Sequence, residues 1–190
     1  MIKKIIDNEL FENIDFANTK PVIAEYEMCR FVNCSFSEVD LSNITFLECE
    51  FENCNLSNAI LNNSAFREVS FSNCKLLGLN FNDCHEFLLS FNFYSCQLNL
   101  ASFYKLDLKG TKFKHCSLHE VDFVEANLTK ATFENSDLSG AIFDRTILEN
   151  TDFQNARNYA LDPELNQIKR AKFSLAGLPG LLGKYNIEII

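Results

Sequence analysis

The chain has 190 residues, a formal net charge of −9 and a sequence pI near 4.8. That length suits one domain, and the acidic balance excludes a free-standing basic nucleic-acid binder. No stretch is long and apolar enough to span a membrane, and Met1-Ile2-Lys3-Lys4-Ile5-Ile6-Asp7 lacks the apolar core of a signal peptide, so the sequence reads as cytoplasmic.

Residues 1–25 are weakly patterned. Phe11 and Phe16 lie five apart, and Thr19-Lys20-Pro21-Val22-Ile23 interrupts them. An irregular N-terminal coil is expected here, with a crossing near Pro21, which lacks the N–H that a stacked strand would donate. From Phe31 a period of five sets in: Phe31, Phe36, Leu41, Phe46, Phe51, Leu56, Leu61, Phe66, Phe71, Leu76, Phe81. The last place of each unit is rich in residues that suit corners: Asn33, Asn43, Asn53, Asn58, Asn63, Asn73, Gly78 and Asp83. Then the frame slips. Glu86 sits where a large apolar residue is due, and the next frame runs through Phe93, an insertion of two. The apolar segment from His85 to Phe93 reads as a bulge that kinks the chain and tucks its aromatics into the core. The other reading is a knob that meets a partner.

From Leu98 to Phe153 every fifth residue is Leu or Phe, twelve positions in strict alternation. With 43 Phe and Leu among 190 residues, twelve in a row by chance has a probability of ~10⁻⁸. A period of five fits neither a helix nor a flat strand and must be a structural repeat. The place two before each large residue is mostly small, so the unit is small–x–large–x–x. One such unit cannot bury a core alone, and stacking makes the core continuous. If four units close a coil, residues twenty apart stack about 4.8 Å apart. Phe103, Phe123 and Phe143 then form one ladder and Phe113, Phe133 and Phe153 the opposite one. Leu98, Leu118 and Leu138, and Leu108, Leu128 and Leu148, fill the other two sides. All eight cysteines (Cys29, Cys34, Cys49, Cys54, Cys74, Cys84, Cys96, Cys116) fall at the small inward place. They read as buried free thiols acting as small hydrophobes, not as a disulfide framework.

The pattern ends at Ala156-Arg157-Asn158. Pro179 is placed to start a short helix carrying Leu181, Leu182 and Tyr185, with Gly180 and Gly183 weakening it. The tail is too apolar for a plain solvent-facing cap. It predicts a two-fold, tail-to-tail dimer through Phe173, Leu178, Leu181, Leu182, Tyr185, Ile187, Ile189 and Ile190.

Ala126-Asn127-Leu128-Thr129-Lys130 matches each named position of the unit A(D/N)LXX, and the chain resembles the pentapeptide-repeat family. The resemblance implies an all-β fold, a right-handed quadrilateral β-helix with a short C-terminal helix as cap. It divides the chain into an irregular coil over 1–25, the β-helix over 26–158 with a break near 85–93, and a cap and dimerisation module over 159–190. Asn158, Tyr159, Asp162, Asn166, Ile168, Lys169, Arg170, Ala171, Phe173, Ser174 and Leu175 resemble the terminal stretch of one branch, which contains the albicidin-immunity and Qnr quinolone-resistance proteins. That resemblance implies a dimer that mimics duplex DNA, binds a type II topoisomerase (DNA gyrase or topoisomerase IV) and protects it from poisons such as quinolones or albicidin. The projecting loops of many Qnr proteins are reduced here to the slip near Glu86 and the interruption near Pro21.

Charge is unevenly spread. Residues 7–68 carry −9, residues 69–118 carry +2, residues 119–164 carry −7 and residues 165–190 carry +3. Glu120, Asp122, Glu125, Glu134, Asp137, Asp144, Glu149 and Asp152 occupy outward places of the repeat and are the candidate partner-binding surface. The alternative is an acidic scaffold with no topoisomerase role, its carboxylates serving solubility. His115 and His119 point outward on either side of inward Cys116 and make no metal set with it, and His85 stands alone in the slip. With no nucleophile motif, phosphate-binding loop or carboxylate pair in an evident cleft, the sequence predicts neither a cofactor nor enzyme activity.

Overall fold

Eleven short strands, three or four residues each, carry the backbone of the computed structural model, which describes residues 4–188. On one side of the coil β1 (Ile5–Asp7), β3 (Glu25–Glu27), β5 (Thr45–Leu47) and β7 (Ala65–Arg67) form a parallel sheet. On the next side β2 (Leu10–Glu12), β4 (Arg30–Val32), β6 (Glu50–Glu52), β8 (Val69–Ser72), β9 (Phe91–Tyr94), β10 (Lys112–Lys114) and β11 (Thr132–Glu134) form a second. Isolated parallel bridges such as Asp40↔Ile60 and Asn55↔Lys75 tie the remaining two sides. The fold is the right-handed quadrilateral β-helix, in the sense that parallel crossovers prefer.

The register gives the coil length directly. Phe31 pairs with Phe51 and Phe113 with Phe133, twenty residues on. Across the slip Phe71 pairs with Phe93 and Lys75 with Gln97, twenty-two residues on. The insertion is therefore two residues, absorbed between residues 85 and 90, and every coil above it is back in phase.

This phasing joins what the sequence shows as two separate ladders. Phe11, Phe31, Phe51, Phe71, Phe93, Phe113, Phe133, Phe153 and Phe173 stand in one column on the second side. Each ring stacks on the next at centroid distances of 4.7–5.4 Å and interplanar angles of 7–20°. Nine rungs at a strand spacing of ~4.8 Å make a column about 38 Å long. The opposite, fourth side stacks Phe81, Phe103, Phe123 and Phe143 in the same way. The two columns meet edge to face in the middle, as Phe103 does with Phe113 at 5.9 Å and 80°.

The small inward places do a second job. Ser64, Thr146 and Thr151 each donate a hydroxyl to the carbonyl of the residue 23 earlier, at 2.7–2.9 Å. Cys49 and Cys54 direct their thiols at the equivalent carbonyls at 3.2 Å. A small side chain with one donor suits the place, so Ser, Thr and Cys interchange there. All eight cysteines are buried and unpaired, and burial pushes the Cys49 and Cys116 thiols up to about 12.

Corners fall where the sequence places them. Asn33, Asn43, Asn53, Asn58, Asn63, Asn73 and Gly78 all have φ between 53° and 64°. Asp83 differs: it ends a 3-10 turn, Phe81–Asp83, at the start of the slip. The same conformation is imposed on residues that disfavour it, among them Met28, Leu100 and Lys105. Leu100 has φ 63° and is well exposed, so its side chain brings strain with little packing in return. Leu100→Asn is expected to raise unfolding stability by about 1 kcal/mol, read as a shift of the urea midpoint at unchanged slope.

Both ends depart from the expected pattern in instructive ways. The N-terminal residues form a coil in register: Ile6 pairs with Tyr26, and Phe16 stacks on Phe36 at 4.4 Å. The short helix α1 (Phe16–Thr19), capped by Asp15 accepting from Ala17 N–H, and Pro21 replace one corner without changing the twenty-residue count. At the other end the coil outlasts the sequence pattern. Arg157 pairs with Asp137, Gln167 with Ile147 and Lys172 with Asp152. Buried Tyr159, Leu161 and Asn166 fill the half-coil where the pentad is lost.

Candidate functional site

The unit's Asp or Asn, just before each large residue, has a structural task. Its side-chain oxygen accepts the backbone N–H two residues on, as in Asp40 to Ser42, Asn55 to Ser57, Asp122 to Val124, Asn127 to Thr129, Asp137 to Ser139 and Asp152 to Gln154, at 2.8–3.2 Å. This is an Asx turn, and it holds the corner. Three of the eight candidate acidic residues, Asp122, Asp137 and Asp152, therefore serve the coil first.

The register also spreads the eight over all four sides. Glu149 lies on the first side, and Glu134 and Asp152 on the second. Glu120 and Asp137 lie on the third, and Asp122, Glu125 and Asp144 on the fourth. They do not form one patch. Glu120 and Asp122 flank the corner between the third and fourth sides, and Asp144 and Glu125 lie further along the fourth side, Glu125 at its corner with the first. Several are in ion pairs. Glu125 meets Arg145 at 3.1 Å and Lys105 at 3.5 Å, and Asp144 meets Arg145 at 3.0 Å. Glu134 meets Lys114 at 3.1 Å, and Asp152 meets Lys172 at 3.5 Å. These exposed pairs are individually weak. Among the described residues Glu120, Asp122 and Glu149 have no ion-pair partner.

Asp137 is the most perturbed of the eight. Partial burial works to raise its pKa, but hydrogen bonds from Ser139 and Asn158, with His119 nearby at 3.5 Å, hold it at about 2. Its carboxylate ties the last regular coil to Asn158 in the end coil.

The sequence tally missed that charge has a sidedness. Lys109, Lys112, Lys114, Lys130, Lys169, Arg170 and Lys172 all stand around the corner between the first and second sides, diagonally across from the corner that Glu120 and Asp122 flank. Taking residue numbers modulo the coil length would have exposed it.

At the C-terminal end, Phe173 stacks on Phe153 at 5.3 Å and 11° and packs against Tyr159. Helix α2 (Pro179–Leu182) begins at Pro179 as expected, but it lasts one turn and half-buries Leu181 and Leu182 over its own coil. Lys184 clamps it, meeting Asp162 at 2.7 Å and Glu164 at 2.8 Å, and these carboxylates hold its ammonium well above the usual lysine range. Of the expected dimer residues, Leu178, Tyr185 and Ile187 are exposed, while Ile189 and Ile190 lie outside the described residues. Leu175, which the sequence reading left out, is the most exposed large hydrophobic residue among those described, at 88%.

A four-sided parallel β-helix built from five-residue units, with Asx turns holding many of its corners, is the architecture of a pentapeptide-repeat protein. The chain belongs to that family: the family model described as a pentapeptide repeat region matches residues 24–92, 44–123 and 86–153. Among solved structures it is similar to a trypsin-treated variant of QnrB1, described as a plasmid-mediated fluoroquinolone resistance protein. That match has 23% identity over 98% of this chain and 99% of that one, at a TM-score of 0.51. It is also similar to HetL, a pentapeptide repeat protein from the cyanobacterium Nostoc involved in heterocyst differentiation regulation, at 17% identity over 92% of this chain and 88% of that one, with a TM-score of 0.39. No curated protein sequence matches the chain.

Proposed function

We propose that this chain is a dimeric, DNA-mimicking protein that binds a type II topoisomerase, DNA gyrase above all, and protects it from poisons such as quinolones or albicidin. The observation that carries the reading is the end coil. Asn158, Tyr159, Asp162, Asn166, Ile168 and Phe173, the residues of the branch-like terminal stretch, build one closed half-coil. On it sits a cap that leaves Leu175, Leu178, Tyr185 and Ile187 in solvent. Such a surface suits a second copy, and two copies end to end double the length of an acidic rod. The likeness to QnrB1, described as a fluoroquinolone resistance protein, points the same way, and the acidic fourth side with Glu120, Asp122, Glu125 and Asp144 is the surface that would stand in for a phosphate backbone.

The test is purified gyrase, a quinolone or albicidin, and this protein, with trapped cleavage complexes as the readout. Protection at about micromolar protein is expected, together with a light-scattering mass twice the 21.8 kDa of one chain. Asp122→Asn keeps the Asx turn and removes the charge, so with Glu120→Gln and Glu125→Gln it should weaken protection without loss of stability. A scaffold unconnected with topoisomerases would leave gyrase unaffected up to about tens of micromolar.

A further inference from the structure

At the two-residue slip large apolar side chains leave the core together. Phe87 is 62% exposed and Leu88 64%. This corrects the expectation that the segment tucks its aromatics inward: Phe91 does so, Phe87 does not. Phe91 occupies a place otherwise held by small residues, in register with Val69, and its ring packs on Phe81 and Phe93 at 5.1 and 5.2 Å. It fills the space left by the missing rung at Glu86, so the core is closed without Phe87.

Four features mark this point. Leu88 holds the coil's corner conformation at φ 60°, which a leucine tolerates poorly. The turn that holds it is closed by Leu89 N–H on the Glu86 carbonyl and by Phe87 N–H on His85 Nδ1. The first-side sheet ends here, at β7, while the second-side sheet runs on past the slip. A groove of about 280 Å³ opens beside the turn, with Leu88, Leu89, Leu106 and Lys109 in its walls. Finally, Arg67, on β7, lies with its guanidinium 5.7 Å from the Phe87 ring centre, and its Nε is buried with no hydrogen-bond partner. Arg67 is in no ion pair among the described residues.

We infer that the turn at Phe87 and Leu88 is a docking site for a segment of a partner protein that carries an apolar side chain next to a carboxylate. The apolar group lies on Phe87 and Leu88, and the carboxylate pairs with the Arg67 guanidinium beside them, which has no ion-pair partner among the described residues. Glu86 and Asp107, on the groove's rim, disfavour a polyanion, which sets nucleic acid aside. This inference does not rest on the topoisomerase reading and survives its failure.

The probe is N-acetyl-phenylalaninate, the smallest molecule with both groups, followed by side-chain NMR of the full chain. Expected are saturable shifts of the Phe87 ring, the Leu88 methyls and Arg67 Nε–H at millimolar ligand, with the neutral N-acetyl-phenylalaninamide binding about tenfold more weakly. Arg67→Met should erase that difference. Phe87→Ser with Leu88→Asn should abolish binding while leaving the melting temperature unchanged or higher, since the substitution relieves the positive φ. Equal shifts with acid and amide, shifts elsewhere only, or a melting temperature lowered by the double substitution would each overturn the inference.

Discussion

Truncating Phe113 to alanine is expected to lower the free energy of unfolding by about 4 kcal/mol, a large part of what a domain of this size commands. Phe113 is fully buried, with Phe93 stacked at 5.3 Å on one face and Phe133 at 5.0 Å on the other. Phe103 and Phe123 meet it edge to face from the opposite side. Its removal leaves a cavity in a column whose neighbours are held at strand spacing and cannot collapse inward. Phe11→Ala is the comparison. That ring stacks on one side only, on Phe31 at 4.9 Å, and is half-buried at the open end. A solenoid is stabilised by neighbour terms, so the end rung should cost about half as much as the middle one. Urea unfolding of both variants at one protein concentration decides it. Equal losses would mean that the column does not act rung by rung.

A period of five is legible in sequence because each unit contributes one large inward residue, and the physics of stacking repeats it at twenty. What hid the full nine-ring column was the slip: a two-residue insertion moves Phe93 out of numerical phase with Phe71 while leaving the two directly paired. The same arithmetic hid the end coil. Asn158 and Pro163 break the pentad, yet Ile168 and Phe173 return twenty residues after Leu148 and Phe153, and Gln167 and Lys172 pair where they should. For the candidate site, residue type gave the outward places correctly but not the sides, because a linear charge count mixes four faces that never meet. Nor does type alone reveal that Asp122, Asp137 and Asp152 are tied to their own backbone. Phe87 was read as core on composition. It lost that place because Phe91 fills the space left by the missing rung.

Gly180 is where sequence and structure disagree most sharply, and where a single methyl should have the second large effect. Read as a helix residue, glycine only weakens α2, so alanine there should help. In the fold, a Cβ at Gly180 would collide with the Tyr159 carbonyl oxygen, a backbone atom of the end coil that cannot swing aside. The Gly180 carbonyl accepts from Leu161 N–H at 3.0 Å across the same contact. Gly180→Ala is therefore expected to lift the cap off the end coil, at a loss of about 2–3 kcal/mol. Amide exchange at Leu161 should speed up, and the Lys184 clamp on Asp162 should open. Gly183 supplies the control: a Cβ there meets nothing within 4 Å, and its φ of −54° is helical. Gly183→Ala should stabilise by about 0.5–1 kcal/mol through the unfolded chain alone. Opposite signs in the two variants locate the constraint in the approach of the cap to Tyr159; stabilisation by both would place it in helix propensity and leave the cap free to move.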